Sequence, residues 1–170
     1  MAEQSSNYIF LVDDEPIQNE MLKDYISERF PYQIKTYESG EQAIKDMDLN
    51  PVIIVLDFHL NAHLPSAQNG VEVLKQIKAR HPQTTVVMLS GQDKLDVAVE
   101  SMKHGAYDYV IKGETAFSRM ENIINNVAEF RSIKSANNNY KKVIAFLWVA
   151  LAIVILISLF LAWRFQSYTS

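Results

Sequence analysis

The sequence predicts a doubly wound α/β domain followed by one apolar helix, and three observations carry that prediction. Short, nearly all-apolar runs recur from Tyr8 to Ile111, and helical patterns fill the gaps between them. From Val143 to Trp163 the chain has no charge, Gly or Pro. Strands that read as continuous apolar runs mark a parallel sheet covered on both faces, the arrangement that alternating strands and helices build.

The elements follow in order. Tyr8–Val12 (YIFLV) is a strand that ends in Asp13-Asp14. Pro16 opens a helix through Arg29, since a missing N–H costs nothing in the first turn. Met21, Leu22, Tyr25 and Ile26 fall on one side of it. Gln33–Tyr37 is a weaker, alternating strand, and Gly40–Met47 a short helix. Val52–Leu56 (VIIVL) is a strand that runs into Asp57. Val71–Arg80 is helical and stops before His81-Pro82, because a residue preceding proline disfavours the helical region. Thr85–Leu89 (TVVML) is a strand ending in Ser90-Gly91, Leu95–Lys103 a helix, and Tyr109–Ile111 a strand ending in Lys112-Gly113. The last helix of the domain, Thr115–Ser135, carries Phe117, Met120, Ile123, Ile124, Val127 and Phe130.

The expected organisation is therefore a domain over 1–135, a polar linker over 136–142, a transmembrane helix over 143–163 and a short tail over 164–170. At ~1.5 Å per residue, the apolar run as a helix matches the ~30 Å hydrocarbon core of a bilayer. A buried core helix would show a polar stripe, and this run is apolar all round. Tyr140 and Trp163 flank it where interfacial aromatics belong. Arg131, Lys134, Lys141 and Lys142 precede it and only Arg164 follows, so the positive-inside rule places the domain in the cytoplasm, on a single pass of the inner membrane. The polar stretch Met1–Asn7 has no secretory signal pattern.

Net charge is −4, unevenly spread: all 20 acidic residues lie at or before Glu129, and five of the 16 basic residues follow it. An acidic front excludes bulk nucleic-acid binding, which needs cations to displace phosphate counterions. The absence of cysteine excludes disulfides and thiolate metal sites.

In an open parallel sheet, ligands bind beyond the carboxyl ends of the strands. Asp13-Asp14, Asp57, Ser90 and Lys112 stand at four such ends. Three carboxylates in one pocket repel, so one takes up a proton or a cation binds. All-oxygen donors suit a small hard divalent ion, Mg2+ first. A carboxylate there is placed for phosphoryl transfer, with Lys112 and Ser90 as cation and hydroxyl donor.

The segments VDDEP, VIIVLDFHL, NGVEVLKQIK, VVMLSG and GAYDYVIKG resemble the receiver domain of two-component response regulators over residues 7–133. The resemblance implies a five-stranded parallel sheet in the order 2-1-3-4-5. It implies Asp57 as the phosphorylated residue, and Mg2+ held by Asp14 directly, Asp13 through water, Asp57 and the backbone carbonyl of His59. Ser90 would be the switch hydroxyl, Lys112 the phosphoryl-binding lysine, and Tyr109 the aromatic that follows the switch. The implied partners are a histidine kinase or phosphotransfer protein, and an output protein on the face of 95–103 and 109–130. No second soluble domain follows, so the expectation is a membrane-anchored single-domain regulator that catalyses only its own phosphorylation and dephosphorylation. The alternative is a non-phosphorylated scaffold of the same fold at the membrane. A haloacid dehalogenase-like phosphatase fits less well, because its nucleophile follows the first strand.

Two features depart from the pattern. Gly113 stands where the family usually has Pro. The loop over 58–69 is longer than usual and is expected to modulate access to Asp57. Its His59 and His63 lack a third convergent ligand for a metal. Gln92, two beyond Ser90, is at a position that tunes the phosphorylated state's lifetime in the family.

Overall fold

The computed structural model describes residues 7–60, 68–91 and 94–168, without the side chains of 135–139, 141, 142, 145 and 159–168. His63, Gln92 and most of the long loop lie outside the described residues. The chain divides into two units, Met1–Asn125 and Asn126–Ser170.

In the first unit, five parallel strands form one sheet: β1 (Tyr8–Val12), β2 (Gln33–Tyr37), β3 (Ile53–Asp57), β4 (Thr85–Ser90) and β5 (Asp108–Ile111), in the order β2-β1-β3-β4-β5. Between them lie helices α1 (Pro16–Arg29), α2 (Gly40–Lys45), α3 (Gly70–Arg80) and α4 (Leu95–Lys103), and after β5 comes α5 (Ala116–Tyr168). The order reverses at β1, which leaves a crevice between the carboxyl ends of β1 and β3.

Side chains alternate across the sheet. Phe10, Val12, Ile54, Leu56, Val86 and Met88 pack on one face with Val73, Leu74 and Ile77 of α3. Ile9, Leu11, Ile53, Val55 and Val87 have the opposite parity and are as deeply buried. The same burial holds for Leu22 and Ile26 of α1 and Met120, Ile123 and Ile124 of α5. The right-handed crossover from β1 to β2 puts α1 on that second face, and the start of α5, after the last strand, packs beside α1. Contacts agree: the Tyr25 hydroxyl donates to Glu121 (2.6 Å), and the Tyr25 and Phe117 rings lie 5.0 Å apart.

Several element ends shift by one residue from the expectation, and two differ by more, for local reasons. The short helix stops at Lys45, and a 3₁₀ turn over Met47–Leu49 continues to Asn50, whose left-handed backbone (φ 51°) terminates it. The last helix does not stop at 135. It runs on through 136–142, the expected linker, because nothing from 116 to 168 is Gly or Pro, and Ser or Asn costs only tenths of a kcal/mol per helical position.

The expected transmembrane helix over 143–163 is not found among the described residues: no helix there is long and apolar enough to cross a membrane. The part of the apolar run with described side chains ends at Ser158 and omits Ala145, short of the ~20 residues a span needs. Residues 159–163 of the expected span lie outside that part.

Candidate functional site

The backbone at the strand ends is fixed before any side chain acts. Asp13 N–H donates to the Tyr37 carbonyl (3.1 Å), Phe58 N–H to Leu89 (3.0 Å), and Lys112 N–H to Ser90 (2.7 Å). These bonds carry the sheet's pairing one residue past β1, β3 and β5, and so align Asp13, Asp57 and Lys112 along one edge. Asn19 of α1 reaches across the crevice, its amide donating to the Asp13 carbonyl (2.9 Å) and the Tyr37 carbonyl (3.1 Å). No sequence signal marks this role: a buried polar residue on a helix resembles its surface neighbours until the fold is known. Gly70, at the start of α3, lies so close to β3 that a Cβ would strike the Asp57 carbonyl oxygen.

On this frame the charged groups converge. The carboxylate oxygens of Asp13, Asp14 and Asp57 come within 4.8 Å of one another. Lys112 Nζ lies 2.7 Å from Asp13 Oδ2, as a hydrogen bond, and 3.0 Å from Asp57 Oδ1, as an ion pair. Asp13 Oδ1 accepts the Glu15 N–H (2.9 Å), and Asp57 Oδ2 accepts the His59 N–H (2.9 Å). Asp13 and Asp57 are 4% and 3% exposed.

Two buried oxygens, Asp14 Oδ2 and Asp57 Oδ1, have no hydrogen-bond donor among the described residues. Lys112 is close enough to Asp57 Oδ1 for attraction, but not aligned to donate to it. Buried carboxylate oxygens without donors cost free energy, commonly ~1–3 kcal/mol and more when charged. A cation between them would remove that cost. An all-carboxylate donor set with two bare oxygens fits a hard divalent ion such as Mg2+.

The electrostatics are divided. Burial raises the Asp57 carboxyl above the ordinary range; Lys112 opposes that rise, and the Asp13 charge adds to it. Burial disfavours the Lys112 ammonium, yet the Asp13 hydrogen bond and the Asp57 charge outweigh it and raise its pKa.

The expected residues are therefore brought to one edge. Ser90 ends β4 in register with Ile111 and is fully buried. Tyr109, in register with Met88, is half-buried against the core below the pocket. His59 follows β3, its ring edge-on to Phe58. No described peptide bond is cis, and a Cβ at Gly113 would meet nothing.

Residues 9–125 match the response regulator receiver domain family. The transcriptional regulatory protein MalR of Bacillus subtilis is 26% identical over 77% of this chain and 54% of its own length. The nitrogen assimilation regulatory protein NtrX of Azorhizobium caulinodans is 33% identical over 61% of this chain and 22% of its own. The chain thus spans about half of one relative and a fifth of the other. The chemotaxis protein CheY of Listeria monocytogenes is 29% identical over 61% of this chain and 84% of its own. Among solved structures, the receiver domain of NtrX from Brucella abortus superposes with a TM-score of 0.63 at 28% identity, covering 71% of this chain and 98% of that one. The signal receiver domain of a Luxo repressor protein from Vibrio parahaemolyticus gives 0.66 at 25%, covering 76% and 95%. The family match runs from β1 into α5, through every strand end that builds the pocket, and the chain therefore belongs to the response regulator receiver domain family.

Proposed function

We propose that this chain relays a signal by accepting a phosphoryl group on Asp57 from the phosphohistidine of a histidine kinase or phosphotransfer protein. The observation that carries this reading is the shared ammonium: Lys112 lies within 3.0 Å of both Asp13 and Asp57 while, among the described residues, Asp14 Oδ2 and Asp57 Oδ1 lack donors. An Asp57 oxygen attacks phosphorus, an O–P bond forms, the N–P bond to the donor imidazole breaks, and the imidazole leaves. Lys112 and the Ser90 hydroxyl stabilise the transferring group's charge. Mg2+, where bound, neutralises phosphoryl charge; Asp13, Asp14, Asp57 and the His59 carbonyl would hold it. Tyr109 and Ser90 then carry the change to the exposed apolar side chains Leu95, Val99 and Met102 of α4, with Tyr107 and Ile111 beside them, where an output protein docks. In this reading the chain catalyses only its own phosphorylation and dephosphorylation.

The same proposal tethers the domain to the inner membrane through 143–163, with the domain in the cytoplasm. The sequence run and the exposure of Phe146, Trp148 and Leu156 support it: large apolar side chains bare on a helix require a nonaqueous neighbour. Tethering would raise the effective concentration for membrane-bound partners.

Full-length protein is incubated with acetyl phosphate and Mg2+ and resolved on a phosphate-affinity gel. A shifted, acid-stable and base-labile band that vanishes in Asp57→Asn is expected. Equal labelling of that variant removes the proposal, and no labelling of either favours the scaffold. Extraction by alkaline carbonate would remove the membrane part.

A further inference from the structure

Within Asn126–Ser170, α5 exposes three large apolar side chains ahead of the long apolar run: Phe130 (68%), Ile133 (61%) and Tyr140 (69%). Their neighbours Glu129, Arg131, Ser132 and Lys134 are exposed and polar. The apolar surface there is a stripe, unlike the all-round belt beyond Val143. Its positions alternate steps of three and four residues and continue in phase through Ile144, Leu147, Leu151 and Val154, all exposed. The sequence places Asn137 in the same series. A seven-residue repeat drifts around a straight helix of ~3.6 residues per turn, and keeps one seam only when two helices coil about each other.

We propose that α5 pairs with α5 of a second copy of this chain, parallel and in register, along Phe130, Ile133, Tyr140, Ile144 and Leu147. Charge selects the occupant. In a parallel pair, the residue before one seam position faces the residue five further along on the partner. Those residues here are Glu129 and Lys134, opposite in sign, so each dimer forms the contact twice by symmetry. An antiparallel pair sets like flanking positions against each other and loses both contacts. The inference does not depend on phosphorylation of Asp57 or on a bilayer, since 129–140 carries it.

The chain lacks cysteine, so single cysteines report contacts directly. Full-length Ile133→Cys, Arg131→Cys and Ser132→Cys are oxidised in lysates of the expressing cells and resolved without reductant. Ile133→Cys should form the homodimer roughly tenfold faster than the other two, since a disulfide requires Cα atoms within ~7 Å. Equal rates at all three positions, no homodimer at any, or a disulfide joining the Ile133→Cys variant to a different polypeptide would each overturn the proposal. In the Ile133→Cys background, Glu129→Lys should slow dimer formation and Glu129→Lys with Lys134→Glu restore it. A double variant as slow as the single one rules out the parallel pairing.

Discussion

Ionising Asp57 works against the metal-free fold, because burial and the Asp13 charge raise its carboxyl above the ordinary value of 3.8. Between 3.8 and the raised folded value, the folded protein binds more protons than the unfolded chain, so stability falls as pH rises through that window. Asp57→Asn removes the penalty. In chelator at neutral pH the variant should be more stable by about 1–2 kcal/mol, the order seen when buried ionic groups are replaced by neutral ones. The advantage should shrink as pH falls below the raised value; urea melts across pH measure it, and a constant gap would contradict the assignment. Lys112 has the opposite sign: its raised pKa gives stability that is present below 10.5 and is lost as pH rises through the folded value. Lys112→Ala strands two buried carboxylates and should cost about 3 kcal/mol in chelator, with part recovered on adding Mg2+, in the same urea melts. The acidic residues, Ser90 and Lys112 were legible in the sequence because each follows an unmistakable apolar strand. Asn19 was not, because what makes it matter is a carbonyl 18 residues away, on Tyr37.

At the scale of elements, the strands were readable because each central one is buried on both faces, and continuous apolar runs admit few alternatives. β3 extends to Asp57 because that residue keeps its pairing with Leu89, a fact of register that composition does not carry. The helices α2 and α5 escaped the expectation in opposite ways: after Lys45 the first tightens into a 3₁₀ turn that Asn50 closes, and the lack of any breaker lets the second run on. The junction of β3 and α3 supports a sharper prediction. Asn69 and Glu72 form a reciprocal cap that fixes where α3 begins, and the start presses Gly70 onto the Asp57 backbone. Gly70→Ala should cost about 2–3 kcal/mol, in the range of overpacked sites, and should move the end of β3. Gly113→Ala, with open space around the new methyl group, should be neutral or stabilising by about 0.4–1 kcal/mol. Thermal melts of the two variants compare them directly, and equal costs would mean that the close approach is not what Gly70 serves.

At the scale of the molecule, the site draws on four neighbouring strands of five: β1, β3 and β5 bring the charged groups, β4 brings Ser90, and β2 brings no side chain. β2 still takes part through the Tyr37 carbonyl, which accepts both the Asp13 N–H and the Asn19 amide. The apolar run beyond Val143 belongs to a different kind of order, legible in composition alone and silent about what surrounds it. The acids stand in the sheet's interior, on β1 and β3, whereas their counter-charge hangs from β5, an edge strand of four residues. Edges open first. Amide protons of β5 should exchange with deuterium well before those of β1 and β3, and addition of Mg2+ should narrow the difference. Each such fraying would withdraw the cation and leave the acids together, so the pocket's negative charge would deepen from the sheet's margin while its centre stays closed.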